Sequence, residues 1–395
     1  MLTARAALAE RAAAALAERN PVYERFFAGE AERLALACRD MSERFLRGGR
    51  LLAFGRGAYA TDAQHVSVEF VHPVIVGKRA LPALDLSMSF RPWLEAIVTE
   101  QDIAMGFGPP GGDSEIDSAL AEAAARGAMT FALPGRNGSY CFDAVTADPW
   151  QHQEMIEILY HTLWETVHVF FERKELGHDV GEAGFLYPFL GQEKQETAGV
   201  IDEVAASIRM KVADDARLRE DVANGQAESI AAAVFAIRGR LRSGGKLILF
   251  GNGGSATDAN DWALDCVLPR EGHRPIPAIS LSLEPANITA LANDIGTEVI
   301  FLRQLIAHGR PNDVAIGIST SGGSRNILKA LEEARKRGLL TIGLLGYDGG
   351  EIVRRGLADH ALVAHSDYIP RIQEVQASMY HVVTELLSEP ERGEN

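Results

Sequence analysis

Residues 51–63, LLAFGRGAYATDA, reappear 196 positions later as LILFGNGGSATDA at 247–259. Residues 106–135 match 317–346 at an offset of 211 without a gap. Gln153-Glu154 and Tyr160-His161 match Gln373-Glu374 and Tyr380-His381 at an offset of 220. The three blocks keep their order, so the 395 residues read as one unit written twice, a tandem duplication. That restricts the chain to folds in which a unit of half its length can bury its own core.

Each copy shows the same succession. A helical preface covers 3–48 in the first and 197–243 in the second. Apolar runs of buried-strand type follow at 51–54 and 247–250, then at 314–318 and 340–345. Helices alternate with them, as at 325–337, where Glu332-Glu333 precede Arg335-Lys336-Arg337. Long helices close the copies at 150–174 and 370–388. Alternation of this kind predicts an α/β fold: two tandem doubly wound parallel-sheet sandwiches with helical prefaces and long C-terminal helices. The expected domains are 1–175 and 197–388. A linker at 176–196 has an FLYPFL core expected to pack on a domain, and a polar disordered tail covers 389–395.

Composition narrows the partners. Hydrophobic residues make up 47 % and charged residues 24 %, and the net charge is −15. That balance argues against general nucleic-acid binding and against an anionic membrane surface. An anionic ligand must therefore be caught by local backbone N–H and hydroxyl groups. Cys38, Cys141 and Cys266 are odd in number and far apart, so neither a disulfide framework nor a CxxC metal knot is implied. A reducing, cytoplasmic setting is the expectation. The Ala-rich start carries Glu10 and Glu18 and reads as a helix, not a leader. No apolar run is long enough to span a membrane.

The second copy carries two loops suited to an anion. KLILF runs into Gly251-Asn252-Gly253-Gly254-Ser255, with a helix expected from Ala256. VAIGI runs into Ser319-Thr320-Ser321-Gly322-Gly323-Ser324, with a helix from Arg325. Glycines permit close backbone approach, and helix N-terminal N–H groups attract phosphate. The plain alternatives are a tight turn and an N-cap by Ser324, but a cap needs one hydroxyl and this loop offers four. Loops at the carboxyl ends of parallel strands form a crevice.

GNGGS, Ala292-Asn293-Asp294, GISTSGGS and the RIQE…H of 371–381 together resemble the sugar isomerase (SIS) domain, and more closely the phosphoheptose isomerase group. The resemblance covers about 197–388 well and about 30–175 in degenerate form. It implies a phosphosugar held by Asn252, Gly253, Gly254, Ser255, Asp294, Ser319, Thr320, Ser321 and Ser324. The first copy departs from this pattern. Arg56 and Tyr59 replace Asn252 and Ser255, and GPPGGD (108–113) replaces STSGGS. Two prolines remove donors and Asp113 repels phosphate, although Arg56 could restore some anion affinity.

His65 and Glu69 share a helical face, as do Gln153 and His161. Alone, such spacing is as well explained by a surface helix. In the resembled group the corresponding His, Glu, Gln and His form a zinc site, so the resemblance implies zinc or a similar ion at His65, Glu69, Gln153 and His161. The second copy holds Asp261, Asp265, Gln373 and His381 instead, with a nitrogen ligand lost and a carboxylate shortened. The implied activity is aldose–ketose isomerisation of sedoheptulose 7-phosphate or another ketose phosphate through an enediolate. Glu69 and His161, or Asp265 and His381, would be the catalytic base and acid. The alternative is a non-catalytic phosphosugar sensor or assembly scaffold. A homodimer forming a pseudo-tetramer of SIS domains is expected, with composite sites or a division of labour between the copies. No basic helix-turn-helix suggests a transcription regulator.

Overall fold

The computed structural model describes residues 2–74, 78–136, 138–175 and 197–389. The expected linker 176–196 and all but Glu389 of the expected tail lie outside the described residues. The chain forms two compact units. One is Pro21–Ala216, here the N-terminal unit. The other joins Met1–Asn20 to Arg217–Asn395 and is here the C-terminal unit.

Each unit contains a five-stranded, wholly parallel sheet. In the N-terminal unit the strands are β1 (Leu51–Gly55), β2 (Ala83–Asp85), β3 (Ile103–Phe107), β4 (Met129–Leu133) and β5 (Tyr140–Cys141), ordered β2-β1-β3-β4-β5. In the C-terminal unit β6 (Leu247–Phe250), β7 (Ala278–Ser280), β8 (Val314–Ser319), β9 (Leu340–Gly346) and β10 (His360–Ala364) are ordered β7-β6-β8-β9-β10. Numbered within its own unit, each sheet runs 2-1-3-4-5. The order reverses between the first and third strands, and such a reversal is where doubly wound sheets bind ligands. Alternate residues of β1 and β6 serve different cores. Leu51 and Ala53 join one cluster while Leu52 and Phe54 join another, and Leu247 and Leu249 are likewise separated from Ile248 and Phe250. Burial on both faces explains why these strands read as unbroken apolar runs.

The helices of the N-terminal unit are the later part of α1 (Leu2–Leu46), α2 (Ala60–Val71), α3 (Phe90–Ile97), α4 (Ser114–Ala125), α5 (Pro149–Glu175) and most of α6 (Thr197–Gly225). Those of the C-terminal unit are α7 (Ala227–Arg242), α8 (Gly254–Val267), α9 (Pro285–Asp294), α10 (Ile300–His308), α11 (Arg325–Lys336), α12 (Gly350–Arg354) and α13 (Ile369–Ser388). The single preface expected over 197–243 is two helices, α6 and α7.

The compact units also differ from the contiguous domains expected at 1–175 and 197–388, for a packing reason. Leu8, Ala12 and Leu16 of α1 share a core with Leu218, Val222 and Ile230, whereas Val200, Val204 and Ile208 of α6 share one with Tyr23, Phe27 and Leu34. Each long helix thus changes core part-way along, α1 next to Pro21. All three cysteines are free thiols. Among the described residues no helix is long and apolar enough to cross a membrane.

One polar device recurs in both units and pins the start of the first strand. Asp102, buried at the head of β3, accepts from Arg50 N (2.9 Å), Arg50 Nη2 (2.8 Å), Thr99 N (2.8 Å) and Thr99 Oγ1 (3.0 Å). Asp313 accepts from Lys246 N (3.0 Å), Lys246 Nζ (2.6 Å) and Arg310 N (2.9 Å). Burial alone would raise the Asp102 pKa, but the bonds from Arg50 and Thr99 outweigh it and hold the carboxyl below its ordinary range. An acid with a depressed folded pKa contributes stability above its unfolded value of 3.8 and loses it as pH falls through the folded pKa. Asp102→Ala is expected to cost about 3 kcal/mol at neutral pH. The deficit should shrink below pH 4, as read from urea midpoints at several pH values.

Candidate functional site

In the C-terminal unit, the turn after β6 and the turn after β8 flank the point where strand order reverses. Gly251 opens the first turn, where a Cβ would lie 2.1 Å from the Ser255 carbonyl oxygen. Its N–H donates to Ser282 Oγ (3.2 Å), which in turn donates to the Gly251 carbonyl (3.1 Å). α8 then starts at Gly254 with buried Ser255 in its first turn.

The second turn is braced from below. Gly346 N donates to Thr320 O (2.9 Å), and Ile352 N donates to Gly322 O (3.0 Å). Gly322 has φ +60°, and a Cβ there would meet the Gly349 carbonyl oxygen at 2.2 Å, so only glycine fits. Ser319 Oγ accepts from Gly322 N (3.1 Å) and Ser321 Oγ accepts from Gly323 N (3.3 Å). Both bonds fix the oxygens while leaving the O–H groups to donate. Ser324 occupies the N-cap of α11 but its side chain makes no capping bond. The capping explanation for this hydroxyl is therefore not realised.

The two turns are joined directly. Asn252 Nδ2 donates to Asn326 Oδ1 (3.0 Å), and Asn326 Nδ2 donates back to Asn252 Oδ1 (2.9 Å). Asn326 lies in the first turn of α11 and sequence reasoning missed it, because nothing in one sequence separates it from any other polar residue there. Ser282 was also missed. Its counterpart Ser87, which accepts from Gly55 N (3.0 Å), sits 195 residues earlier and could have revealed it. Asp294, expected at the ligand, stands exposed at the end of α9 and accepts from Asn293 Nδ2 (2.8 Å).

Behind the loops, α8 packs on α13 and brings acid–base residues together. One ligand atom each from Asp261, Asp265 and His381 lie within 4.8 Å of one another, all three residues buried. His381 Nε2 is 2.9 Å from Asp265 Oδ2 and 3.6 Å from Asp261 Oδ2. The Tyr380 hydroxyl donates to Asp261 Oδ2 (2.7 Å). Gln373 is buried on α13, eight residues before His381.

In the N-terminal unit α2 packs on α5 in the same way. His65, Glu69 and His161 form a buried group with ligand atoms within 4.8 Å of one another. His65 Nε2 lies 3.8 Å from Glu69 Oε1, and the His65 and His161 rings meet edge to face at 5.2 Å. Glu69 Oε2 is buried with no hydrogen-bond partner among the described residues. Burial first, and the Glu165 carboxylate second, push the Glu69 pKa up to about 8. Gln153, expected beside these residues, donates from Nε2 to Asp62 Oδ2 (3.0 Å) and Thr61 Oγ1 (3.3 Å).

The turns of this unit carry other chemistry. Arg56 Nη1 lies 3.0 Å from Asp113 Oδ2, so the arginine expected to restore anion affinity is already engaged. Tyr59 is buried with its hydroxyl near the Pro149 carbonyl, and His152 Nε2 contacts the Gly108 carbonyl oxygen at 3.2 Å.

The chain is similar to known proteins. Residues 212–346 match the SIS domain family model. The phosphoheptose isomerase of Chlorobaculum tepidum is 47 % identical over 176 residues, covering 44 % of this chain and 83 % of that protein. The chain belongs to the phosphoheptose isomerase family. The phosphoheptose isomerase of Thermodesulfovibrio yellowstonii is 38 % identical over 188 residues, covering 47 % of this chain and 92 % of its own length. The two-unit architecture has its own solved counterpart. The tagatose-6-phosphate ketose/aldose isomerase of Escherichia coli covers 94 % of this chain and 92 % of its own, with a TM-score of 0.52 at 14 % identity, which is a likeness of fold. The alignment with each single phosphoheptose isomerase thus spans less than half of this family member.

A carboxyl whose folded pKa is raised holds a proton that the unfolded chain gives up, so stability falls as pH rises from 4.5 towards about 8. Glu69→Gln is expected to flatten that slope in metal-free protein. Urea midpoints at pH 6 and pH 8.5 should converge in the variant and diverge in the wild type.

Proposed function

We propose that the chain is a phosphosugar isomerase that interconverts aldose and ketose forms of sedoheptulose 7-phosphate or a closely related ketose phosphate. The Asn252–Asn326 pair carries this reading. It ties two donor-rich turns together at the strand reversal, where uncommitted hydroxyls on Ser319, Ser321 and Ser324 suit a phosphate without net positive charge. Asn252, Gly253, Gly254, Ser255 and Thr320 complete the cradle. Family membership supports the reaction class.

Within the C-terminal unit, Asp265 would take the proton beside the sugar carbonyl, giving an enediolate. His381 would move a proton between the two oxygens, and return of a proton to the neighbouring carbon completes the exchange. In the N-terminal unit Glu69 and His161 hold the corresponding positions. A divalent ion, zinc first, fits His65, Glu69 and His161, because a buried carboxylate oxygen without a partner stands beside two imidazoles. Asp261, Asp265 and His381 offer a more oxygen-rich set, with Gln153 and Gln373 as further oxygen donors of their units. Such an ion, when bound, would polarise a sugar carbonyl. Titrating zinc at pH 7 should release a proton from Glu69, seen as a buffer-dependent binding enthalpy that Glu69→Gln removes.

A sensor or scaffold is the second reading, favoured by one observation. Asp265 Oδ2 and His381 Nε2 already lie 2.9 Å apart, so the acid and base face each other before any ligand arrives. Incubating the protein with sedoheptulose 7-phosphate in deuterated water separates the two. Solvent deuterium in the sugar supports the isomerase, whereas binding without exchange supports the sensor. Ser319→Ala combined with Ser321→Ala should weaken sugar-phosphate binding by about tenfold or more, and unchanged affinity removes the cradle. Duplication of one ancestral unit accounts for the shared strand order, and a cytoplasmic homodimer would carry four such units.

A further inference from the structure

The two units settle one position in opposite ways. In the C-terminal unit the turns are joined by the uncharged Asn252–Asn326 pair, and Ser324 leaves the start of α11 without a side-chain cap. In the N-terminal unit the places of Asn252 and Ser324 are held by Arg56 and Asp113. Asp113 Oδ1 accepts from Glu115 N (2.8 Å) and Ile116 N (3.3 Å), and Arg56 Nη1 lies 3.0 Å from Oδ2 and 3.3 Å from Oδ1. A carboxylate of the chain thus sits on the first amides of α4, with a cation of the chain as its counter-ion.

Pro109 and Pro110 take two amides from the turn, but the first amides of α4 remain. The α4 amides still point at an anion, and that anion is Asp113. A phosphate from solution would have to displace a tethered group whose effective concentration exceeds that of a free ligand. It would also meet the repulsion of the carboxylate it displaced.

We propose that the Arg56–Asp113 pair is the specificity determinant that closes the N-terminal unit's crevice to phosphorylated ligands, so that each chain binds one phosphosugar, in the C-terminal unit. This rests on the phosphosugar reading given above. It adds that, at the α4 amides that remain, exclusion is enforced by one removable carboxylate.

Calorimetric titration of the full chain with sedoheptulose 7-phosphate tests it. The wild type is expected to bind one equivalent. Asp113→Ser, which restores the hydroxyl found at Ser324 and frees Arg56, is expected to bind two, the second weaker and displaced by inorganic phosphate. Asp113→Asn keeps an acceptor for the α4 amides and should move in the same direction if the serine variant folds poorly. Conversely, Asn252→Arg with Ser324→Asp should abolish binding while the thermal midpoint is retained. Two equivalents on the wild type, one equivalent on both folded Asp113 variants, or retained binding by the Arg/Asp transplant would each overturn the proposal. A wild type that binds none removes the phosphosugar reading and this inference with it. One wild-type equivalent with no gain on substitution removes this inference alone.

Discussion

The reversal of strand order between the first and third strands governs everything that follows in each unit. Because β6 and β8 are neighbours whose following helices place Trp262 and Ile327 in different cores, the turns at their carboxyl ends flank the strand reversal. The backbone amides of two helix starts are brought side by side, and their unsatisfied donors need an acceptor from somewhere. An acidic protein has no general positive field to offer an anion, so local dipoles of this kind are what an anion could use. The amide pair of Asn252 and Asn326 keeps the two turns in register without filling that role itself.

Much of this was legible in the sequence, because the repeated blocks let the chain act as its own comparison. The strands at 51–54, 247–250, 314–318 and 340–345 were within one residue of their observed ends, since runs buried on both faces are apolar throughout and stop at glycine or, at 319, at serine. His65 with Glu69, and Asp261 with Asp265, could be placed on helix faces by spacing alone, and their matching His161 and His381 by the third repeated block. The pairing of Arg56 with Asp113 was not legible: each residue was read separately, one as a possible rescue and the other as a repellent. Asn326 and Tyr380 were missed because their importance lies in a partner more than 70 residues away in sequence.

The units differ chemically within one strand order. The N-terminal unit keeps two imidazoles and a strongly desolvated glutamate but seats its own carboxylate where an anion would bind. In the C-terminal unit the turns carry hydroxyls, while Asp265 stands where the other unit has Glu69, its Oδ2 2.9 Å from His381 Nε2. The strand order and the aspartate at the head of the third strand recur in both units, while the side chains at the turns and on the inner helices differ. Fold and site therefore need separate arguments here.

The division of α1 at Pro21 has a consequence for how such a chain is made. Leu8, Ala12 and Leu16 leave the ribosome well before the core that covers them, which begins about 200 residues downstream, a separation that slows folding. Until Leu218, Val222 and Ile230 are synthesised, the opening helix carries an uncovered apolar stripe. A fragment cut at the obvious sequence boundary would keep that stripe and lose its cover, so genetic dissection of the halves calls for a circularly permuted chain instead of a simple truncation.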